Sequence, residues 1–274
     1  MSILFSTLSP AKPTPTPAGT VELNCTLTKY GKWDGEVMLP SDMYMSFATR
    51  TIVADTAHGV HRLARFAASF GPTGTVVIHP VDVGRFIHQH RFLRFVGHDV
   101  AVDFSVVEQH LRLHGEAEAL AAWWAIAGDN RLHDSMLLDM LVRLARDDRH
   151  PVPRNRADLT REYGGGETVA VALDRQRDVG INDSDGTDVQ SGLSRDLVRD
   201  TVTTRLAYLA LRTAAVTLVG AYDRAGRDVF PGARGLFGLL TEAVQVKKAI
   251  ALAAVTRNGM RLDRDQLRAT QADL

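Results

Sequence analysis

Apolar runs bounded by turn residues divide the first hundred positions into strands. Met43–Phe47 is the first buried-strand candidate, Leu63–Phe70 the second and Thr75–Ile78 the third. The Gly-Pro-Thr-Gly sequence at 71–74 leaves room only for a tight turn between the last two, so an antiparallel start is expected. Residues 81–91 then read as helical, Phe92–Val96 as a fourth strand, and Val100–His114 as a helix. Apolar residues at 102, 106, 107 and 111 give that helix one buried face.

Beyond this point the pattern is helical. Glu116–Ala127 and Asp134–Ala145 are two helices, with Trp123, Trp124, Met136, Leu137, Leu141 and Leu144 as expected core. Pro151 and Pro153 break the chain, and the triple glycine at 164–166 and the polar run at 182–188 mark a linker-like stretch, in which Val169–Leu173 has the character of an edge strand. Ser194–Tyr222 reads as one or two long helices with Ser194 as N-cap. A turn at Pro231-Gly232, a helix over 235–257, a turn at Asn258-Gly259 and a last helix over Asp263–Leu274 complete the chain. The first twenty residues hold four prolines, three of them alternating with threonine, and are expected to form a disordered tail. The expected division is therefore a tail over 1–20, an α/β domain over 21–224 and a helical extension over 225–274.

Composition narrows the function classes. With 32 basic and 32 acidic side chains in 274 residues the formal charge is zero, which argues against bulk electrostatic binding of nucleic acid but allows a groove that reads a chain end. The basic excess is local, with 11 Lys or Arg against 6 Asp or Glu from residue 201 onward. A single cysteine, Cys25, excludes an internal disulfide framework and cysteine-based zinc sites, and fits a reducing, cytoplasmic setting. No run is long and apolar enough for a membrane span, and no membrane partner is expected. His110 and His114 share a helical face at i, i+4, a spacing that can hold zinc but equally occurs on solvated helices; Trp123 and Trp124 could stack bases or pack in the core.

The order of three strands, helix, strand, helix and then an all-helical half suggests a ribonuclease-H-like α/β fold, a mixed sheet flanked by helices. Four segments make this specific. Phe95–Val107, FVGHDVAVDFSVV, resembles the second exonuclease motif of the proofreading 3′–5′ exonuclease domain of family-A DNA polymerases, with Asp103 at its aspartate. Leu132–Leu138, LHDSMLL, is similar to the family's Asp-Thr-Met-Leu segment, with Asp134 at the acid; the same residue has the chemistry of an N-cap for the helix that follows. Asp196–Tyr208, DLVRDTVTTRLAY, resembles the third motif and places its metal-ligand aspartate at Asp200 and its threonine at Thr204. Leu239–Leu262 resembles the helix and Arg-Asn-Gly turn that lead into the polymerase portion. The resemblance spans roughly residues 43–274. It implies a groove in which His98, Asp99 and Thr204 contact nucleic acid, and Asp103 and Asp200 hold magnesium or manganese, with two metals stabilising the attacking and leaving oxygens.

The departures fall on the reacting centre. The family's first motif, Phe-Asp-x-Glu-Thr, corresponds to Phe47-Ala48-Thr49-Arg50-Thr51, so both of its acids are missing. Ala48 offers no ligand, and Arg50 brings a permanent cation to a place where a metal would bind. Asp99 stands at the family's asparagine, and Asp196 at the tyrosine that orients the attacking water. The expectation is that Arg50 neutralises Asp103 and Asp200 by charge-assisted hydrogen bonds in place of metal. The function expected is an exonuclease-like protein, impaired or inactive, that binds single-stranded DNA or another nucleic-acid 3′ end and needs no cofactor. Two alternatives stand beside it. One is an active magnesium- or manganese-dependent exonuclease using Asp103 and Asp200 with Asp99, Asp134 or Asp196 in a shifted carboxylate set. The other is a protein-interaction scaffold with a protein partner. Polymerisation is excluded, because palm and finger domains do not fit in 274 residues.

Overall fold

Alternation along one strand organises the molecule. In a computed structural model, which describes residues 31–35, 44–55, 60–71, 74–147, 151–163, 188–224 and 239–258, strand β2 spans Tyr44–Asp55. Its Met45 and Phe47 enter the main core on one face, while Ala48 packs with Ala67 and Leu197 on the other, as the two-residue period of a strand buried on both faces requires. The expectations for the N-terminal tail, Cys25, the edge strand at 169–173, the turn at 231–232 and the last helix from 263 concern residues outside the described ones.

Strand β1 (Gly31–Lys32) lies parallel to β4 (Thr75–Ile78), β4 is antiparallel to β3 (Val60–Ser69), and β3 is antiparallel to β2. On its other edge β2 runs parallel to β5 (Arg94–Gly97), and β5 runs parallel to β6 (Leu132–Asp134). The six strands thus lie in the order β1-β4-β3-β2-β5-β6. Leaving aside the short β1, this is a hairpin-connected trio followed by two parallel strands, the ribonuclease-H-like order. The antiparallel start is as the sequence predicts. β2 continues well past Phe47, however, because the polar residues after it are held in register against β3, with irregularities after Arg50 and Val53. β6 and β1 carry too few residues to show a period.

The helices are α1 (Val83–His90), α2 (Val100–Leu113), α3 (Ala117–Gly128), α4 (Ser135–Asp147), α5 (Arg156–Tyr163), α6 (Asp188–Arg224) and α7 (Leu239–Asn258), with a 3-10 turn at Pro80–Asp82 before α1. Three differ from the sequence reading. α6 is one 37-residue helix that begins six residues before Ser194, so Ser194 lies inside the helix and not at its start. α5 sits in the segment read as linker. Its start is set by Asn155, whose Oδ1 accepts from the Asp158 N–H at 2.9 Å, an N-cap that satisfies one of the orphan donors of the first turn. In α2 the buried face runs through Val100, Phe104, Val107 and Leu111, so Val102 is turned outward, 56% exposed.

The main core lies between the sheet and α1, α2, α3 and α7. Trp123 stacks on Phe104 at 5.2 Å and meets Phe47 and Phe95 edge-on, and its indole N–H donates to the Phe104 carbonyl. Trp124 is partly exposed and meets Phe104 edge-on, and Leu144 is also exposed, whereas Leu138 and Val142 are buried in α4. Val246 and Ile250 of α7 belong to the same core, so the described part of the 225–274 extension shares its apolar interior with the sheet. A second cluster on the opposite face joins Tyr44, Val96, Leu138, Leu159, Tyr208 and Leu211. Among the described residues no helix is long and apolar enough to cross a membrane.

Candidate functional site

The carboxyl ends of parallel strands open a crevice where neighbouring connections diverge, and here β2, β5 and β6 meet at such a place. β5 ends at Gly97, opposite Asp134 of β6, while β2 continues into Thr49 and Arg50. Gly97 is needed for close approach, since a Cβ there would come within 2.8 Å of Val100 and 3.5 Å of Phe47. The chain then passes His98 and Asp99, the latter in the left-handed region at φ 57°, and enters α2. This brings His98, Asp99 and Asp103 to one end of the sheet, as the second motif requires.

Asp134 is the pin of this corner. Its carboxylate accepts from the N–H groups of Met136 at 2.8 Å and Leu137 at 3.3 Å, capping α4, and from those of Asp99 at 3.2 Å and Val100 at 2.8 Å, capping α2. One buried side chain therefore satisfies orphan donors at two helix starts. The capping expectation holds, with a second helix added that sequence spacing could not reveal. Burial pushes the Asp134 carboxyl up to about 7, against the pull of its N–H donors on Val100, Leu137 and Met136. Behind it, the wholly buried Glu242 of α7 accepts from the Asp134 N–H at 2.9 Å and from the Tyr208 hydroxyl at 3.2 Å, and approaches His133 Nδ1 at 3.5 Å.

Asp103 is buried and turned toward β2, where both the hydroxyl and the N–H of Thr49 donate to its Oδ1. Burial raises it to about 6, and the Thr49 hydrogen bonds and the charge of Arg156 hold it from going higher. Arg50 extends from the opposite face of the strand and donates to Asp200 Oδ2 at 3.0 Å. The same oxygen receives Arg156 Nη1 at 2.6 Å. The expected role of Arg50 is thus corrected in one half. Arg50 takes Asp200, whereas Asp103 is met by Thr49, because adjacent residues of a strand face opposite sides of the sheet. Arg156, the first residue of α5, is the second cation, and the sequence reading did not find it. The Asn155 cap followed by Asp158 was the signal available.

The remaining expected residues divide. The His98 ring shares a 3.0 Å hydrogen bond with the Ser135 hydroxyl, and burial lowers it to about 4, with the positive charge of Arg156 acting in the same direction. Asp99 is exposed at the mouth, and partial burial of its carboxyl raises it. Thr204 is 1% exposed and its hydroxyl faces the protein interior, so it is not placed to contact a ligand from solvent. Asp196 lies one turn before Asp200, exposed and paired with Arg199 at 3.0 Å. The His110 and His114 rings are engaged by the carbonyls of Pro80 at 2.9 Å and His110 at 2.8 Å, which favours the structural reading of that pair over zinc.

A pair of divalent metals does not fit these residues. Ala48 presents no donor, Asp200 Oδ2 is taken by two guanidiniums, and Asp103 Oδ1 by Thr49. Among the described residues no group of three His, Cys, Asp or Glu side chains is arranged to hold a metal ion. What the arrangement can do is present cations to an anion.

No family model and no curated protein matches the sequence. Among solved structures the chain is similar to the EXO domain of Nibbler from Aedes aegypti, with 11% identity and a TM-score of 0.36 over 65% of this chain and 80% of that one. The strand order described above, and not this likeness, is what gives the chain its ribonuclease-H-like α/β fold.

Proposed function

We propose that this chain is an exonuclease-like protein, of the proofreading type found in family-A DNA polymerases, that binds the end of a single-stranded nucleic acid without metal-dependent cleavage. The observation that carries the reading is the convergence of Arg50 and Arg156 on one oxygen of Asp200. Two permanent cations stand beside a carboxylate that would otherwise be a metal ligand, and the first-motif acids are absent at Ala48 and Arg50. Without metals nothing lowers the pKa of an attacking water, so catalysis falls by orders of magnitude while Arg50 and Arg156 keep an attraction for phosphate. The setting is a cytoplasmic, reducing one, and no magnesium or manganese is required.

The test is a labelled single-stranded DNA incubated with the full chain in manganese and, separately, in EDTA. The expected result is intact DNA in both and a salt-sensitive complex in both. Cleavage in manganese alone would overturn the proposal in favour of an active enzyme with a shifted carboxylate set. No complex at low salt would overturn it in favour of an interaction scaffold.

A further inference from the structure

Arg50 and Arg156 spend only part of their hydrogen-bonding capacity on Asp200. Arg50 uses Nη2 and Arg156 uses Nη1, and the Nε of each is buried without a partner among the described residues. The Nε groups are shielded from solvent, so the donor each guanidinium can offer an incoming anion is the Nη group not spent on Asp200, held in a rigid plane that suits the oxygens of a tetrahedral anion. Both side chains remain reachable, at 37% and 23% exposure.

The surrounding charge points the same way. Asp103 is turned to the other face of β2 and held by Thr49, so it does not oppose an anion beside Arg50 as directly as its sequence position suggests. The carboxylate in direct contact with both forks is Asp200, a single negative charge against two positive ones.

The number of oxygens selects the ligand. An internal phosphodiester has two non-bridging oxygens, enough for one fork, whereas a phosphomonoester has three and can serve two forks that converge on one point. We infer that Arg50 and Arg156 form a binding site for a phosphomonoester, the phosphorylated end of a single-stranded nucleic acid, seated where the resembled enzymes would hold metal. This rests on the reading given under Proposed function and adds to it the chemistry of the end that is bound.

The experiment compares the full chain's affinity, in EDTA and low salt, for one fluorescent oligonucleotide ending in a 3′-hydroxyl, a 3′-phosphate or a 5′-phosphate, with inorganic phosphate as competitor. The expected result is at least tenfold tighter binding of one phosphorylated end over the hydroxyl end, and competition by inorganic phosphate at millimolar concentration. Arg156→Ala abolishes the preference, and Arg161→Ala, an exposed arginine on the same helix, keeps it. Should Arg156→Ala fail to fold, Asp200→Asn serves instead: it removes the negative charge that competes for both guanidiniums and tightens binding of the phosphorylated end severalfold. Equal affinity for all three ends overturns the inference and leaves the proposed function standing. Binding of inorganic phosphate with no binding of any oligonucleotide overturns the nucleic-acid reading and keeps the anion site. No binding of phosphate or of any oligonucleotide overturns both.

Discussion

Replacing Asp134 with alanine removes the cap from two helices at once. Its carboxylate accepts four backbone N–H groups, two at the start of α4 and two at the start of α2. A helix N-cap is worth about 1 kcal/mol when replaced by alanine, and each buried donor left unmatched adds roughly 1–3 kcal/mol when water cannot reach it. With two caps lost in a buried corner, Asp134→Ala is expected to cost about 3 kcal/mol at pH 5, a fall in Tm of about 6–12 °C for a chain of this size. The pH dependence of that cost follows from the carboxyl's position at about 7 in the folded protein. A carboxyl raised above its unfolded value stabilises most below about pH 4. That contribution declines as the pH climbs toward 7 and is flat beyond, since the unfolded chain ionises first. The difference between parent and variant should therefore shrink by about 2 kcal/mol between pH 5 and pH 8. Urea unfolding followed by tryptophan fluorescence at both pH values measures it. A cost below about 1 kcal/mol at pH 5, or one that grows toward pH 8, would refute the double-cap account.

Other outcomes follow from the same geometry. His98, lowered to about 4 by burial and by Arg156, opposes folding as the pH falls below its unfolded value near 6.5, so His98→Asn should gain about 2 kcal/mol at pH 5 relative to pH 8 in urea titrations. Asp103, raised to about 6, acts in the opposite sense, and Asp103→Asn should flatten the decline in stability between pH 4 and 6. Gly97→Ala forces a Cβ to within 2.8 Å of Val100 and should cost about 1–3 kcal/mol by shifting the start of α2, read as a lower Tm and as altered amide signals at Asp99 and Val100. Trp123→Ala empties the centre of the core and should cost about 3–5 kcal/mol, whereas the half-exposed Trp124→Ala stays well below that in the same denaturation assay.

The antiparallel trio, β5 and most helices were legible because their apolar periods are long enough to be distinctive. β6 was not, since three residues cannot show alternation and Leu132 owes its strand to pairing with Phe95. α5 was hidden by a different cause. Two prolines and a polar sequence read as loop, yet its core contribution comes chiefly from Leu159, and its position is fixed by ion pairs. Arg154 contacts Glu162 and lies 3.9 Å from the buried Asp139, which Arg143 also pairs at 2.8 Å. Within the site, Asp103, Asp200 and Arg50 were visible from motif order, and the missing acid at Ala48 was visible for the same reason. Thr49 as the partner of Asp103, Arg156 as the second cation and Glu242 beneath Asp134 were not, because each joins residues from elements far apart in the chain, a relation that only the fold creates. Thr204 is the reverse case. A motif position was carried over, and packing of α6 turned it inward.

The central claim is that two guanidiniums stand where the resembled enzymes hold metal. It is tested most directly by calorimetric titration of manganese into the full chain, beside the double variant with Ala48→Asp and Arg50→Glu and the triple variant that adds Arg156→Ala. The account predicts no two-site manganese binding by the parent and its appearance as acids replace the alanine and the cations. Tight binding of two manganese ions by the parent, with Arg50 and Arg156 intact, would contradict it.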